Sequence, residues 1–413
     1  MNSAIKSVGV VGLGVMGFDI AFLYAMKGFP TMIYDAARPA MNTVEHRREQ
    51  TIERLRKRDR INDVQTNNVR MLLIKASALE NFSSMDLITE AVSENTRTKQ
   101  SVYAALRSAG FHGMLTTNTS SVTRATLLAA GAYDSDRFGL THYFNPVLHT
   151  QMVEVVSGDM AVHDRQSLLA FLRDIGRQPV ETQDISGFIS NSILMVYAVM
   201  ALRLLEEGAT IEAVDQGARE LKLLPPLFSF DSWKPSIVED VTRVMFEHRG
   251  DAFLRSSRLL RQLAMNNPRF YVDQKPNPKI YDLLEAAKQS VDDPSVRRAL
   301  RIATLWAAAR VLELGESPST VDFIAQEGLK LPQAPLKEID AVGASKILEQ
   351  LAQVNQQLTG EPLTPPKLLS AMVQANQTFY KNNQPNPWLT TYIDRVANHA
   401  RDLRPRSSEH AWP

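Results

Sequence analysis

The chain has 413 residues, enough for about two or three domains. Its net charge of +1 provides no overall attraction to nucleic acid or to an anionic membrane, and its 44% apolar and 22% charged residues are typical of a soluble globular protein. The absence of cysteine excludes disulfides, thiolate metal sites and a cysteine nucleophile, and we expect no metal ion. No apolar run reaches transmembrane length and neither end carries a recognisable targeting signal, so we expect a cytoplasmic enzyme.

The amino-terminal segment predicts a strand, a glycine-rich turn, a helix and a second strand. "SVGVV" at 7–11 is rich in β-branched residues, "GLGVMG" follows, "FDIAFLYAMKG" is apolar at helical spacing, and "TMIYD" ends at Asp35. Short apolar runs then alternate with helical stretches; these runs are "DLITEAV", "MLTTNTS", "FGLTHYF" and "MVEVV". This alternation predicts a mostly parallel sheet with helices on both faces.

The glycine-rich turn is a G-x-G-x-x-G motif. Its glycines allow, in order, a tight turn, close approach of the backbone to a pyrophosphate, and close packing of helix on strand, while the helix N-terminus attracts the phosphates. Asp35 can accept hydrogen bonds from both ribose hydroxyls and would repel a 2′-phosphate, which favours NAD over NADP. A flavin is the alternative, since its adenosine half uses the same fingerprint. The predicted cofactor-binding residues of this segment are Gly12, Gly14, Val15, Met16, Gly17 and Asp35.

The carboxyl-terminal half is helical and contains an internal repeat. "RLLEEGATIEAVD" at 203–215 matches "RVLELGESPSTVD" at 310–322, with six identities at a constant offset of 107. Both segments run into "LKL" and prolines, and both units end in a Phe-Tyr pair. Similar helix ends are the alternative, but the shared order and spacing favour a duplicated helical unit. We expect the copies to pack on each other as an intramolecular pseudo-dimer, because helices such as "ILMVYAVMALRLL" are too apolar to face water. The sequence does not decide whether two whole chains also form a homodimer.

These patterns predict an α/β Rossmann-type NAD-binding domain followed by two tandem all-α domains. We interpret the Pro/Asn-rich stretch at 266–279 as a linker between the helical domains, and the polar carboxyl-terminal end as a frayed tail. The predicted parts are an NAD-binding domain at 1–183, a first helical domain at 184–278, a second helical domain at 279–395 and a tail at 396–413.

A histidine and a glutamate interrupt two neighbouring apolar runs, "FGLTHYF" and "MVEVV". A carboxylate inside an apolar strand costs several kcal/mol unless it is paired, and His142, on the preceding strand, is the candidate partner of Glu154. Such a pair would fix the imidazole tautomer and make the other ring nitrogen a better general base, which takes an alcohol proton while the carbon gives a hydride to NAD. A structural histidine and an edge-strand glutamate that faces water are the alternative.

A run of small polar residues, "TTNTSSV" at 116–122, supports the catalytic interpretation. It places Asn118 and Ser120 just after a strand of the same sheet, and substrates bind at the carboxyl ends of strands in open α/β sheets. The alternative is an ordinary turn rich in small polar residues. We therefore predict a substrate site beside the histidine.

The chain resembles the L-3-hydroxyacyl-CoA dehydrogenases. The resemblance rests on "GVVGLGVMGFDIA", "DLITEAVSENTRTK", "TTNTSSV", "FGLTHYFNPV", "MVEVVSG" and "DISGFISNSIL", in this order, and it covers nearly the whole chain. The duplicated helical unit resembles the carboxyl-terminal part of the bifunctional hydratase/dehydrogenase proteins of β-oxidation. No hydratase domain precedes the dehydrogenase here, so the resemblance does not imply hydratase activity.

The resemblance implies reversible, NAD-dependent oxidation of an L-3-hydroxyacyl thioester, in particular of coenzyme A, to the 3-ketoacyl thioester. It matches His142 to the catalytic base, Glu154 to its orienting carboxylate and Ser120 to the serine that bonds the substrate oxygen. Asn191 matches the asparagine that polarises the reacting oxygen or thioester. Further matches are Glu90, Glu94, Lys99 and Asn118 for NAD, and Asn145, Arg54 and Lys57 for the substrate. From the residues alone, Glu90, Glu94 and Lys99 are otherwise solvated charges, and Arg54 and Lys57 otherwise belong to a solvated helix face.

The chain departs from the family in three places. Ser192 stands where the family has an arginine after the asparagine, "LKLLPPLFSFDSW" replaces a glycine-rich turn, and "MNNPRFY" replaces a Lys-Thr-Gly-x-Gly run. In the family these regions shape the acyl and pantetheine side of the cleft, so the acyl group and its carrier stay open. The alternatives are a carrier-protein-bound or non-CoA hydroxy acid as substrate, and an NAD-binding structural protein without turnover.

Overall fold

The structure is a computed structural model in which residues 4–284 and 291–393 are described. The chain divides into two compact units, residues 1–188 and 189–413. The domain boundaries that we place at 183, 278 and 395 remain predictions. The predicted tail lies outside the described residues.

The first unit is built on an eight-stranded sheet. Its strands are β1 Val8–Val11, β2 Thr31–Tyr34, β3 Leu73–Lys75, β4 Leu87–Glu90, β5 Met114–Thr117, β6 Phe138–Tyr143, β7 Met152–Val156 and β8 Gln178–Glu181. The strand order is β3-β2-β1-β4-β5-β6-β7-β8. Every neighbouring pair is parallel except β6 and β7, which are antiparallel. The predicted mostly parallel, Rossmann-type sheet is confirmed, with a reversal at β7 that the alternation of strands and helices did not predict.

The central strands are nearly continuous apolar runs because both faces of the sheet are covered. Strands β1, β4 and β5 are buried at every position. Polar side chains enter at the carboxyl ends of β4 and β5, at Glu90 and Thr117. Parallel strands end at one edge of the sheet, so these polar groups converge where a ligand is expected.

Helices pack on the sheet through apolar faces. In the first helix, Tyr24 and Phe22 are fully buried, and the Tyr24 ring lies edge-on to Phe171 of the last helix with centroids 5.1 Å apart. Local caps set two of the helix starts: the side chains of Asn62 and Asn95 each accept a hydrogen bond from a backbone N–H three residues on. The helices are α1 Val15–Met26, α2 Arg38–Asn42, α3 Val44–Arg56, α4 Asp63–Leu72, α5 Thr96–Ser108, α6 Arg124–Leu128 and α7 Val162–Asp174.

The second unit repeats one series of elements. The first series is α8 Phe188–Glu206, α9 Ile211–Glu220, α10 Pro226–Trp233, α11 Pro235–Arg249, α12 Arg258–Asn266, β9 Tyr271–Val272, β10 Lys275–Pro276 and α13 Pro278–Tyr281. The second series is α14 Asp293–Leu312, α15 Pro318–Phe323, α16 Pro335–Val342, α17 Ala344–Gln357, α18 Lys367–Ala375, β11 Tyr380–Lys381 and β12 Gln384–Pro385, with a π-turn at Ile324–Gly328. The stretch at 266–279, which we interpret as a linker, instead contains the β9–β10 hairpin, and β11–β12 repeats that hairpin.

Buried carboxylates hold each copy of the series together in the same way. Asp215 accepts hydrogen bonds from the Leu227 backbone N–H and the Tyr271 hydroxyl, both at 2.8 Å. Its counterpart Asp322 accepts from the corresponding backbone N–H at 2.9 Å and from the Tyr380 hydroxyl at 2.7 Å. The aspartate that ends the repeated sequence motif therefore ties α9 or α15 to the hairpin of its own copy.

Helix α8 has the length and composition of a membrane-spanning helix, contrary to our expectation that no run reaches that length. It has 19 residues, with a mean hydropathy of 1.8 in its apolar window. However, 89% of that window is buried inside the protein. A core helix has this character as well, and within the described residues α8 is the one helix that meets these limits.

Candidate active site

The glycine-rich turn between β1 and α1 has the geometry of a dinucleotide-binding loop. Gly12 has a φ of +94°, and a Cβ on it would lie 2.6 Å from the Ala91 backbone. A Cβ on Gly17 would lie 1.9 Å from the Gly12 carbonyl oxygen, so only glycine lets α1 start this close to β1. At Gly14, in contrast, nothing lies within 4 Å of the added Cβ. The backbone there is open to a pyrophosphate, as the motif predicts.

Asp35 follows β2 directly and braces the glycine-rich turn. One carboxylate oxygen accepts from the Leu13 backbone N–H at 2.7 Å, and the other accepts from Ala37 N–H at 2.8 Å. Arg47 donates to the backbone oxygens of Leu13 and Gly14. Each carboxylate oxygen of Asp35 retains accepting capacity, so it can also take hydrogen bonds from ribose hydroxyls. The loop and its aspartate therefore fit NAD.

His142 and Glu154 lie directly opposite each other on the antiparallel strands β6 and β7. The imidazole Nδ1 is 2.9 Å from a Glu154 carboxylate oxygen. Glu154 is completely buried and His142 is 7% exposed. A carboxylate accepts hydrogen bonds, so this pairing suits the tautomer in which Nδ1 is the donor and Nε2 has the lone pair. The reversal at β7 thus produces the pairing that the sequence suggests.

Two aromatic rings enclose the imidazole. The Phe188 ring is stacked on His142, with centroids 4.6 Å apart and planes 13° from parallel, and Phe144 lies 5.6 Å away. Phe188 has a φ of +52°, a left-handed conformation that costs a bulky residue about 1–3 kcal/mol. Sequence reasoning did not single out Phe188. Its signal in the sequence is the Gly-Phe pair at which the long apolar helix α8 begins.

Asn118 links the ends of β5 and β6. Its side-chain oxygen accepts from the backbone N–H of Tyr143, the residue after the histidine, at 3.0 Å. The Tyr143 hydroxyl continues into a buried chain through Tyr24 to Thr89, with steps of 2.8 and 3.0 Å. Burial raises the pKa of Tyr24 to about 12, so its hydroxyl stays protonated at neutral pH. This chain fixes the strand that carries His142, and the sequence carries no signal for it.

Glu94 organises the loop that contains Ser120. One of its oxygens accepts from the Thr119 hydroxyl at 2.6 Å, from the backbone N–H groups of Ser120 and Ser121 at 2.7 and 2.9 Å, and from the Ser121 hydroxyl at 3.0 Å. Burial alone would raise the pKa of Glu94, but Lys99 and these donors hold the pKa below its ordinary value. The carboxylate therefore shapes the Ser120 loop directly.

Glu90 and Lys99 are fully buried and form an ion pair of 3.0 Å. Glu90 also accepts from the hydroxyls of Tyr103 and Thr117 at 2.8 and 2.7 Å. Lys99 lies 3.4 Å from the second oxygen of Glu94. Burial would lower the pKa of Lys99, but the two carboxylates raise it. We predict cofactor contacts for Glu90 and Lys99; the structure instead places both inside the unit, where Glu90 holds Lys99 and Lys99 lies against Glu94.

The predicted substrate residues of the first unit lie at its surface. Asn145 is exposed on the loop after β6, and Arg54 and Lys57 are exposed at the end of α3. Lys57 pairs with Glu53 at 2.7 Å. Burial, followed by the positive charges of three arginines at the end of α3, lowers the pKa of His149 on the β6–β7 loop. Arg60, just after α3, contacts His149 on this loop, so the basic segment at the end of α3 faces the loop that follows His142.

Asn191 belongs to the second unit, in the first turn of α8. It is half-buried, and the next residue, Ser192, is completely buried. Arg249, at the end of α11, donates to the Ser192 hydroxyl at 2.9 Å. An arginine thus reaches the position after the asparagine from another helix.

Comparison with known sequences now decides the family. The profile of the 3-hydroxyacyl-CoA dehydrogenase NAD binding domain matches residues 7–185. The profile of the 3-hydroxyacyl-CoA dehydrogenase C-terminal domain matches residues 187–270 and 296–385. The chain belongs to the 3-hydroxyacyl-CoA dehydrogenase family. The predicted enzyme class, an NAD-dependent 3-hydroxyacyl-CoA dehydrogenase-type oxidoreductase, and its cofactor, NAD, are confirmed.

Curated relatives of this chain are longer proteins. It is 24% identical to the fatty acid oxidation complex subunit alpha of Pseudomonas savastanoi pv. phaseolicola and 26% identical to that of Shewanella frigidimarina. In both cases 91% of this chain and 56% of the relative are covered, so the chain spans about half the length of these relatives.

Solved structures share the fold. The 3-hydroxybutyryl-CoA dehydrogenase of Escherichia coli K12 superposes with a TM-score of 0.74 at 20% identity, covering 90% of this chain and 98% of that one. FadB2 of M. tuberculosis gives a TM-score of 0.60 at 27% identity, over 64% of this chain and 94% of its own. The α/β unit followed by helical elements is therefore the architecture of this family.

Proposed function

We propose that the protein oxidises an L-3-hydroxyacyl thioester of coenzyme A to the 3-ketoacyl thioester, reversibly, with His142 as the general base. The buried pair of His142 and Glu154 carries this proposal. It lies at the carboxyl end of β6, next to that of β5, on the sheet that bears the NAD loop, where ligands bind in open α/β sheets. The names of the curated relatives support fatty acid oxidation as the setting.

In the forward direction, Nε2 of His142 takes the proton of the 3-hydroxyl group. The imidazolium that forms is stabilised by Glu154, which is completely buried and 2.9 Å from Nδ1. Bound NAD supplies the hydride acceptor for the C3 hydrogen. Phe188 covers one face of the ring, which keeps the imidazole in one orientation and excludes water from that face. In the reverse direction the imidazolium returns its proton to the 3-oxygen.

Ser120 and Asn191 are the proposed hydrogen-bond donors to the reacting oxygen or to the thioester carbonyl. Donors held in advance stabilise negative charge that develops on oxygen. Glu94 holds the backbone of the Ser120 loop, which supports this role for Ser120. Asn191 follows Phe188 by three residues on α8.

Coenzyme A is the proposed carrier of the acyl group, with the basic end of α3 as its phosphate contact. Arg54 and Lys57 are exposed there, and Arg60 of the same basic segment contacts His149 on the β6–β7 loop, which also carries Asn145. Exposed cations attract phosphates without burial cost. A carrier-protein phosphopantetheine would meet the same charges, so the two carriers have to be separated by assay.

The proposed quaternary arrangement is an intramolecular pseudo-dimer of the two helical series, in a cytoplasmic protein. Helices α9 and α14 approach closely: a Cβ on Gly217 would lie 2.9 Å from the Val296 side chain. Glu207 of the first series accepts from the backbone N–H of Thr359 at 2.7 Å. Arg297 pairs with Glu220 at 2.7 Å. These contacts between the series are those that a tandem copy would provide in place of a second subunit.

The experiment is turnover of a panel of 3-hydroxyacyl thioesters with NAD, followed at the nicotinamide absorbance. We expect turnover of CoA thioesters and its loss in His142→Ala, while NADH binding is retained. Turnover of carrier-protein thioesters alone would show that the acyl carrier is a protein rather than coenzyme A, while the proposed oxidation chemistry would stand. Binding of NADH without turnover of any thioester would show that the protein is an NAD-binding structural protein.

A further inference from the structure

A chain of buried charges begins next to Asn191. The Arg249 side chain is 3% exposed, and its Nη1 donates to the Ser192 hydroxyl at 2.9 Å. Its Nη2 lies 2.8 Å from a carboxylate oxygen of Asp251, whose side chain is 6% exposed. These two atoms are close but misaligned for a hydrogen bond, so the attraction between them is Coulombic. Gly250, with a φ of +69°, ends α11 between the two residues and lets both side chains turn inward.

The second helical series continues the chain of charges. Arg310 of α14 donates from Nε to the other oxygen of Asp251 at 2.9 Å. Its Nη1 donates to Glu313 at 2.6 Å, and Glu313 accepts from the backbone N–H of Leu368 at 2.7 Å. The order is therefore Ser192, Arg249, Asp251, Arg310 and Glu313, with alternating charge after the serine. The last three residues of this chain of charges, Asp251, Arg310 and Glu313, line a cavity of about 300 Å³.

Such a chain is poorly explained by stability alone. Taking two charges out of water costs several kcal/mol each, and well-packed apolar residues in place of a buried ion pair are often as stable or more stable. What a chain of this kind does well is to fix geometry: the hydrogen bonds from Arg249 to Ser192 and from Arg310 to Asp251 have fixed directions because a guanidinium is planar, and the Coulombic attraction between Arg249 and Asp251 holds the two ends together. The residue whose geometry it fixes is Ser192, in the same helical turn as Asn191.

We propose that Arg249, Asp251 and Arg310 are positioning residues for Asn191. The second helical series holds Arg310, Arg310 holds Asp251, and Asp251 holds the arginine that clamps the first turn of α8 through Ser192. This inference rests on the proposed role of Asn191 in binding the reacting oxygen. It gives the second series a part in turnover that is separate from covering apolar surface.

The test compares two arginines of the same helix. Arg310→Met removes the link to Asp251. Arg301→Met removes an arginine that pairs with Glu338 and has a similar exposure, 30% against 24%. We expect both variants to lose thermal stability to a similar extent and to bind NADH normally. Only Arg310→Met should lower kcat, by about tenfold to a hundredfold, the range that a displaced catalytic group produces.

A double variant separates positioning from general damage. In an Asn191→Ala background, Arg310→Met should cause no further loss of kcat, because the group it positions is gone. Hydrogen–deuterium exchange of the peptide at 189–195 should speed up in Arg310→Met and not in Arg301→Met, a readout that needs no turnover. If Arg310→Met does not fold, Glu313→Gln serves instead, since it keeps an acceptor for Leu368 and loosens Arg310.

The outcomes are distinct for the two proposals. A slow Asn191→Ala variant combined with equal kcat for Arg310→Met and Arg301→Met would overturn the positioning role and leave the proposed function intact. The same conclusion follows if Arg310→Met lowers kcat by the same factor in the wild-type protein and in Asn191→Ala. Wild-type kcat in Asn191→Ala would overturn the role of Asn191, and the inference with it.

Discussion

The replacement of Glu154 by glutamine tests the proposed dyad most directly. Glutamine keeps the volume and one acceptor oxygen, so the buried strand β7 should keep its packing. The variant loses the negative charge that lies 2.9 Å from the His142 Nδ1 atom. The fold and the affinity for NADH should therefore be unchanged, while the step that creates an imidazolium becomes harder.

The size of the loss follows from the burial of the pair. Glu154 is completely buried, so solvent screens its attraction to an imidazolium only weakly. At an effective dielectric constant of about 20, two unit charges about 4 Å apart attract by about 4 kcal/mol, which we take as the upper limit. The difference between a charged and a neutral hydrogen bond, about 1–2 kcal/mol, is the lower limit. Since 1.36 kcal/mol is a factor of ten, kcat should fall by about tenfold to a thousandfold.

The assay is steady-state oxidation of a 3-hydroxyacyl-CoA, with NADH affinity measured by fluorescence and stability by thermal unfolding. The matched control is Glu181→Gln on the neighbouring strand β8. That residue is half-buried, pairs with Arg165 at 2.6 Å and lies opposite Val155 rather than Glu154 in the strand pairing. We expect the control to keep kcat. His142→Ala should lose at least as much as Glu154→Gln, and the double variant should lose less than the sum. Additive losses, or a Glu154→Gln variant as fast as the control, would refute the dyad.

Four further predictions concern the cofactor, the acid stability, the aromatic cover and the repeat. Asp35→Asn should narrow the preference for NAD over NADP, because a neutral amide no longer repels a 2′-phosphate; equal kcat/KM for both cofactors in the wild-type protein would show that the ribose does not lie at Asp35. The pKa of Glu94 in the folded protein lies below its ordinary 4.5, so the ionised carboxylate stabilises the fold fully above about pH 4.5, and this stabilisation is lost as the pH falls through the folded pKa. In Glu94→Gln, the free energy of unfolding measured with urea should therefore fall less steeply below about pH 4.5 than in the wild-type protein. The same pH dependence in both proteins would contradict this. Phe188→Leu removes an aromatic contact of about 0.5–1.5 kcal/mol and should lower kcat about two- to tenfold without affecting NADH binding, whereas unchanged kcat would mean that the ring only fills space. Deletion of 280–413 should expose the apolar face of the first helical series, so that the protein aggregates or dimerises and loses activity; a monomeric, soluble and fully active truncated chain would argue against the pseudo-dimer.

Several features of the protein are readable from short stretches of its sequence. The G-x-G-x-x-G motif between a strand and a helix specifies the loop geometry, since a Cβ on the last glycine would collide with the backbone of the first. The period of the apolar residues separates strands from helices. A lone glutamate in "MVEVV" signals a paired carboxylate because an unpaired one would be too costly to bury. These inferences succeed because each depends on a few neighbouring residues.

Other features depend on which elements meet. The alternation of strands and helices predicts parallel pairing, and the reversal of β7, which sets Glu154 opposite His142, does not follow from it. The burial of Glu90 and Lys99 likewise depends on α5 packing over the ends of β4 and β5. A sequence match to cofactor-binding positions therefore predicts more exposure to the cofactor than these two side chains have. Local periodicity specifies the type of an element, and the direction of pairing is set by the connections between elements.

The arginine beside Ser192 shows the same limit in the helical half. Arg249 is 57 positions away from Ser192, and Arg310 of the second series is 59 positions away from its partner Asp251. No local pattern marks these residues as neighbours, and by sequence the arginine after Asn191 is simply missing. Helix packing brings the guanidinium to that place, because a long side chain on one helix can reach a turn of another once the two are packed. The sequence by itself thus determined the elements and the chemistry of the candidate dyad, while the tertiary structure alone decided which side chains support it.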